Sequence, residues 1–125
     1  MANGQIPSVF RPGDVTYLDI PCREPTRAAD FYESVFAWDL RRGGDEPAFA
    51  DASGHLIGHF IVGEPSQEPG IVPYVYVDDL PQTLVRITSC GGTVAGEPRS
   101  EGTLRVATFR DSERNLVGIW TETAV

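Results

Sequence analysis

The same order of elements is written twice along this chain, and that doubling restricts the fold more than any single motif. In the first half, "DVTYLDIPC" (14–22) alternates as a strand does, with Val15, Tyr17 and Asp19 on one side and Thr16, Leu18 and Ile20 on the other. "EPTRAADFYESVFAW" follows. Pro25 suits a first helical turn, and Ala28, Phe31, Tyr32, Val35 and Phe36 fall on one apolar stripe. "WDLRR", "PAFADA" and "HLIGHFIVG" read as three short strands. "EPSQEPG" (64–70), with two prolines and no period, is a linker. The order then returns: "IVPYVYV" (71–77) as a strand, "DDLPQTLVRITSCGG" as a helix capped by Asp79, and three strands in "TVAGEP", "TLRVATFR" and "NLVGIW".

The last strands of the halves can be laid over each other, "DASGHLIGHF" (51–60) on "DSERNLVGIW" (111–120). Asp51/Asp111, Leu56/Leu116 and Gly58/Gly118 are identical, and Ile57/Val117 and Phe60/Trp120 are alike. Together with the matching element order, this is an internal duplication. The expectation is an α+β fold in one domain (1–125), built from two βαβββ modules, 14–63 and 71–122, joined by the 64–70 linker.

Composition removes several function classes. A net charge of −8 argues against a general nucleic-acid binder, whose affinity comes from Lys and Arg on phosphates. No apolar run approaches the roughly 20 residues that span a bilayer, so no membrane partner is expected. The first residues carry no secretory pattern, and Cys22 and Cys90 read as free thiols, so a cytoplasmic location is expected. No P-loop, GxGxxG after a strand, CxxC or GxSxG is present. "CGGTVAG" follows a helix and reads as its stop.

A paired βαβββ unit of this size resembles the vicinal oxygen chelate superfamily: glyoxalase I, bleomycin resistance proteins and extradiol dioxygenases. "IPCREPTRAADFYESVFAWDL" is similar to that family's first strand-to-helix segment, with Ala37 in place of its usual glycine. "YVYVDDL" resembles the start of the second module. "FRDSERNLVGIW" resembles the ending "DPxGN", with Ser112 for the proline, Arg114 for the glycine, and Asp111 and Asn115 in place. The resemblance implies a curved, eight-stranded mixed sheet shaped as a cup around a ligand, and in many members a homodimer.

Metal-dependent members carry His, Glu or Gln at one point on the first and last strand of each module, because an open divalent site needs such donors. Carried over, these points fall on Tyr17, on Val72 or Tyr74, and on Gly58 and Gly118. The resemblance therefore implies no inherited metal centre and no cofactor. With Gly58 facing the cup, His55 and His59 share the opposite face and read as scaffold. They also lie about 13 Å apart on a strand, too far to bind one metal together. A one-residue slip in register would instead bring His59 into the cup as a metal candidate.

The expected ligand wall is Tyr17 and Asp19, Tyr74 and Tyr76, Phe60 and Trp120, with Arg105 and Phe109 filling the rest. Aromatic walls with a few polar groups suit a planar organic ligand. Arg105, if inward, would need an anionic ligand or Asp19 as its partner. The leading reading is a metal-free member that binds a small, aromatic molecule in its cup. The alternative is a lyase, isomerase or dioxygenase of the same superfamily, either metal-free through Asp19 and Tyr17 or with an atypical metal site. No nucleophilic role is expected of Cys22 or Cys90.

Overall fold

Proline at its first position and an apolar stripe on one side make the first helix, α1 (Pro25–Phe36), and bury Ala28, Ala29, Phe31, Tyr32 and Val35. The computed structural model describes residues 11–123. In it α1 follows β1 (Tyr17–Cys22) and leads to β2 (Asp39–Arg41), β3 (Ala48–Ala50) and β4 (Ile57–Val62). These four strands form a mixed sheet in the order β1-β4-β3-β2, with β1 and β4 parallel. A helix between parallel strands is the connection such pairing requires.

The second half repeats the plan with β5 (Tyr74–Tyr76), α2 (Leu80–Ser89), β6 (Thr93–Glu101), β7 (Leu104–Arg110) and β8 (Leu116–Glu122). Its sheet order is β5-β8-β7-β6, again with the first and last strands parallel. Asp79 caps α2 by accepting from the Gln82 amide at 2.9 Å. β5 is shorter than "IVPYVYV" suggests: Pro73 has no N–H to donate, and pairing runs only from Tyr74. The strands divide into two four-stranded sheets rather than one continuous sheet, leaving β1 and β5 as edges.

Both modules share one apolar core. Tyr32, Trp38, Phe49 and Phe60 stack in succession, with centroids 4.7 Å apart for Tyr32–Trp38, 4.8 Å for Trp38–Phe49 and 5.0 Å for Phe49–Phe60. Phe31 extends the row to Phe109 of the second module at 6.0 Å. Each such ring contributes about 1.5–3 kcal/mol when fully buried.

Polar contacts hold the modules in register at the turn between β7 and β8. The Glu113 carboxylate is buried and accepts from the amides of Arg23 and Glu24 at 2.9 and 3.0 Å and from Arg27 Nε at 2.6 Å. Glu24, the residue before α1, makes no side-chain cap of its own. A carboxylate from the other module therefore satisfies the amides at the helix entrance. Asp111 accepts from the amides of Glu113 and Asn115, from Asn115 Nδ2 and from the Tyr32 hydroxyl. Asn115 Nδ2 also donates to Pro21 O, while its Oδ1 accepts from the Ser66 amide, which ties β1 and the linker to the same turn.

Candidate functional site

Each sheet has one face on the core and one face open, and strand alternation decides which side chains the open face receives. On β1, Ile20 and Cys22 are buried and Leu18 packs against the core, while Tyr17 and Asp19 are exposed. On β4, Gly58 and Phe60 are buried, and Ile57, His59 and Ile61 take the open side. Parallel pairing sets Tyr17 beside Ile57 and Asp19 beside His59. The Tyr17 hydroxyl hydrogen-bonds His59 Nδ1.

This corrects the assignment of Gly58 to the ligand side and of His59 to the scaffold. The reason lies in the turns. In the first module the Asp51 amide closes onto Leu56 O at 2.8 Å, and in the second the Asp111 amide closes onto Asn115 O at 3.0 Å. The first turn holds one residue more. Past it, the structural partner of Gly118 is His59, and the partner of Gly58 is the buried Val117. A Cβ on Gly58 would come within 1.8 Å of Leu18 O and 2.7 Å of the Phe49 ring, so this glycine lies flat against the core. His55 is exposed in the turn, its amide donating to Ser53 Oγ.

In the second module Val117 and Ile119 are buried, and Gly118 and Trp120 alternate with them toward Tyr74 and Tyr76. Tyr76 and Trp120 meet edge to face at 4.9 Å. The Tyr74 ring lies across Gly118, where a Cβ would fall 2.2 Å from it. Tyr74 and Tyr76 are 43% and 53% exposed, unlike the packed rings of the core. They and Trp120 form an aromatic surface open to solvent.

Three other expected wall residues lie elsewhere. Phe60 and Phe109 are fully buried in the core and touch no open face. Arg105 pairs with Thr121 and shares with Leu80, Leu84, Pro98 and Glu122 an open groove of about 380 Å³ on the α2 side. It donates there to Ser100 Oγ at 3.4 Å, away from Asp19. The polarity of β7 gives no hint of this, because only its pairing with β8 fixes which residues face the helix.

Electrostatics separate the polar groups. Partial desolvation, then the charges of Asp19 and Glu46, push the Tyr17 phenol above its ordinary value, so it stays protonated. Burial, with Glu113 and Asp111 behind it, pushes the Cys22 thiol to about 11, and this leaves it unreactive at neutral pH.

The family of folds implies a metal, and the donors here do not fit one. Among the described residues no group of three or more His, Cys, Asp or Glu could hold an ion. His59 Nδ1 is engaged by Tyr17, and the space above Gly118 is filled by the Tyr74 ring.

The family profile of the glyoxalase-like domain matches residues 15–119. The chain belongs to the glyoxalase-like family. Several solved structures share the fold of this glyoxalase-like protein. It is similar to a glyoxalase/bleomycin resistance protein/dioxygenase family enzyme from Burkholderia phytofirmans, with a TM-score of 0.75 and 19% identity over 88% of this chain and 99% of that one. The fosfomycin resistance protein FosX from Mesorhizobium loti gives a TM-score of 0.70 and 19% identity over 91% and 95%. The antibiotic-binding protein TnmS3 from a Streptomyces species gives 0.68 and 21% over 91% and 99%. At these identities the likeness is one of fold. No curated protein sequence matches this glyoxalase-like chain. Among its described residues no helix is long and apolar enough to cross a membrane.

Proposed function

We propose that this protein binds a small, planar organic molecule against the open faces of its two sheets, without a metal or cofactor. The observation that carries the reading is the solvent-open aromatic surface of Tyr74, Tyr76 and Trp120, set apart from a core that packs its other rings. An exposed cluster of large apolar side chains on a sheet face marks an interaction site. Tyr17, Asp19 and His59 supply the few polar groups that orient a ligand. The structural likeness to an antibiotic-binding protein and to a fosfomycin resistance protein supports the same class of function.

A homodimer belongs to this reading. Among the described residues, β1 and β5 are sheet edges beside half-exposed Tyr17, Ile57, Tyr74 and Tyr76. A second copy would cover both edges and faces and close the cup.

A thermal-shift screen across aromatic antibiotics and simple planar compounds tests binding, since a ligand at 100 times its Kd stabilises by about 2.7 kcal/mol. The expected result is a saturable hit, recovered chemically unchanged, that persists after chelation and is lost in Trp120→Ala. Hits that vanish with chelator, or that survive Trp120→Ala, would overturn it. Light scattering reads the dimer.

A further inference from the structure

The structure assigns to Tyr17 and His59 the role of a proton-transfer pair, standing where a metal-dependent relative would place ligands, and acting on a planar organic substrate with an acidic C–H. This inference rests on the reading of the open faces as the ligand site, and it adds chemistry to that site.

With the Tyr17 hydroxyl donating to His59 Nδ1, the imidazole's own proton is on Nε2, and that arrangement sets the direction of transfer. Tyr17 is half exposed on the open face, and His59 lies on the adjacent strand. When a substrate C–H meets the Tyr17 oxygen, that bond breaks and a new O–H bond forms on Tyr17. The original phenol proton passes to Nδ1, the electron pair of the C–H bond stays on the substrate, and His59 becomes an imidazolium. Return of a proton to a different atom of the substrate completes an isomerisation with no oxidant, reductant or second substrate.

The groups facing His59 suit this cycle. Asp19 is paired with it on β1, and Glu46 lies near Tyr17 at the approach to β3. Ala48 is its neutral neighbour on β3, and Ile57 and Ile61 flank it on β4. Tyr17 alone is a poor base because its phenol is held protonated, and His59 is what lets its oxygen accept a proton. His59 is therefore a positioning residue that takes the proton through Tyr17.

The probe is 5-nitrobenzisoxazole, a neutral planar carbon acid whose C3 proton is removed as its N–O bond breaks to give a coloured cyanonitrophenolate. Wild-type protein should convert it with saturation, and Tyr17→Phe and His59→Gln should each lower the rate at least tenfold, the double variant no further. The pH profile of the rate should differ between wild type and His59→Gln. His55→Gln, in the turn, should match wild type. Saturable binding with rates unchanged in Tyr17→Phe and His59→Gln overturns the pair and leaves the binding reading standing. A rate abolished by chelator and restored by a divalent metal overturns it in favour of metal chemistry. Neither saturation nor turnover overturns both readings.

Discussion

The hydroxyl of Tyr32, in the first helix, donates to Asp111 Oδ2 of the second module at 2.7 Å, with both groups buried. Asp111 thereby fills its acceptor positions with four protein donors, and burial still raises its carboxyl above the ordinary value. Tyr32→Phe keeps the ring stack and removes one donor to a charged, buried acceptor. It should cost about 1.5–3 kcal/mol, read as a lower urea midpoint at unchanged slope.

Glu113 and Asp111 are shifted in opposite directions two residues apart, so acid should act on them with opposite sign. Desolvation pulls Glu113 upward, but Arg27, the Arg23 and Glu24 amides and Ser112 together hold it below its ordinary 4.5. The stability it contributes is full above that value and is lost as pH falls through its lower folded pKa. Asp111, raised from 3.8, contributes below that value and loses the contribution as pH climbs through its folded pKa. Denaturation midpoints from pH 7 to pH 3 should show the advantage of wild type over Glu113→Gln shrinking below pH 4.5. At pH 7, Glu113→Ala leaves two helix-entrance amides without partners and should cost about 2–3 kcal/mol.

Gly58 and Gly118 should respond differently to alanine although the sequence aligns them. At Gly58 the obstacle is the Leu18 carbonyl on the paired strand, 1.8 Å from a new Cβ, and backbone cannot swing aside. Gly58→Ala should cost about 3 kcal/mol. At Gly118 the obstacle is the half-exposed Tyr74 ring. Gly118→Ala should cost less than about 1 kcal/mol in stability, and it should weaken aromatic ligands in the thermal-shift screen by moving Tyr74.

Two non-glycine positions hold left-handed backbone, Ala37 at φ 58° and Arg114 at φ 74°. A side chain in that region is disfavoured by about 1–2 kcal/mol, offset by the lower entropy of a non-glycine unfolded chain. Ala37→Gly and Arg114→Gly should each stabilise by about 0.5–1 kcal/mol in thermal melts.

The alternation of β1 and the apolar stripe of α1 made the fold legible, because both are local periodicities that burial imposes directly on sequence. The facing of the candidate side chains was half legible. Tyr17, Asp19, Tyr74, Tyr76 and Trp120 lie on open faces as their strands imply. Phe60, Phe109, Arg105 and His59 were misplaced for one reason: facing in β4 and β7 depends on where a turn closes and how a strand pairs. A signal was nonetheless present in the polarity of the paired strands. Asp19 and His59 are the polar members of their strands, and Ile20 and Phe60 the apolar ones. Matching β1 to β4 by polarity gives the observed face, whereas matching β4 to β8 by motif gives the other.

The extra residue in the turn that begins at Asp51 makes it a parity element. A strand presents odd or even positions to solvent according to the count at which its turn closes, so one residue gained there exchanges every side chain between core and open face. In this duplicated chain, that count put an imidazole on the open face in one half and a bare backbone in the other, without changing the "LIG" and "LVG" written at the same distance from each aspartate. Residue roles carried between the two halves, or in from relatives, must be counted from strand partners rather than from the turn.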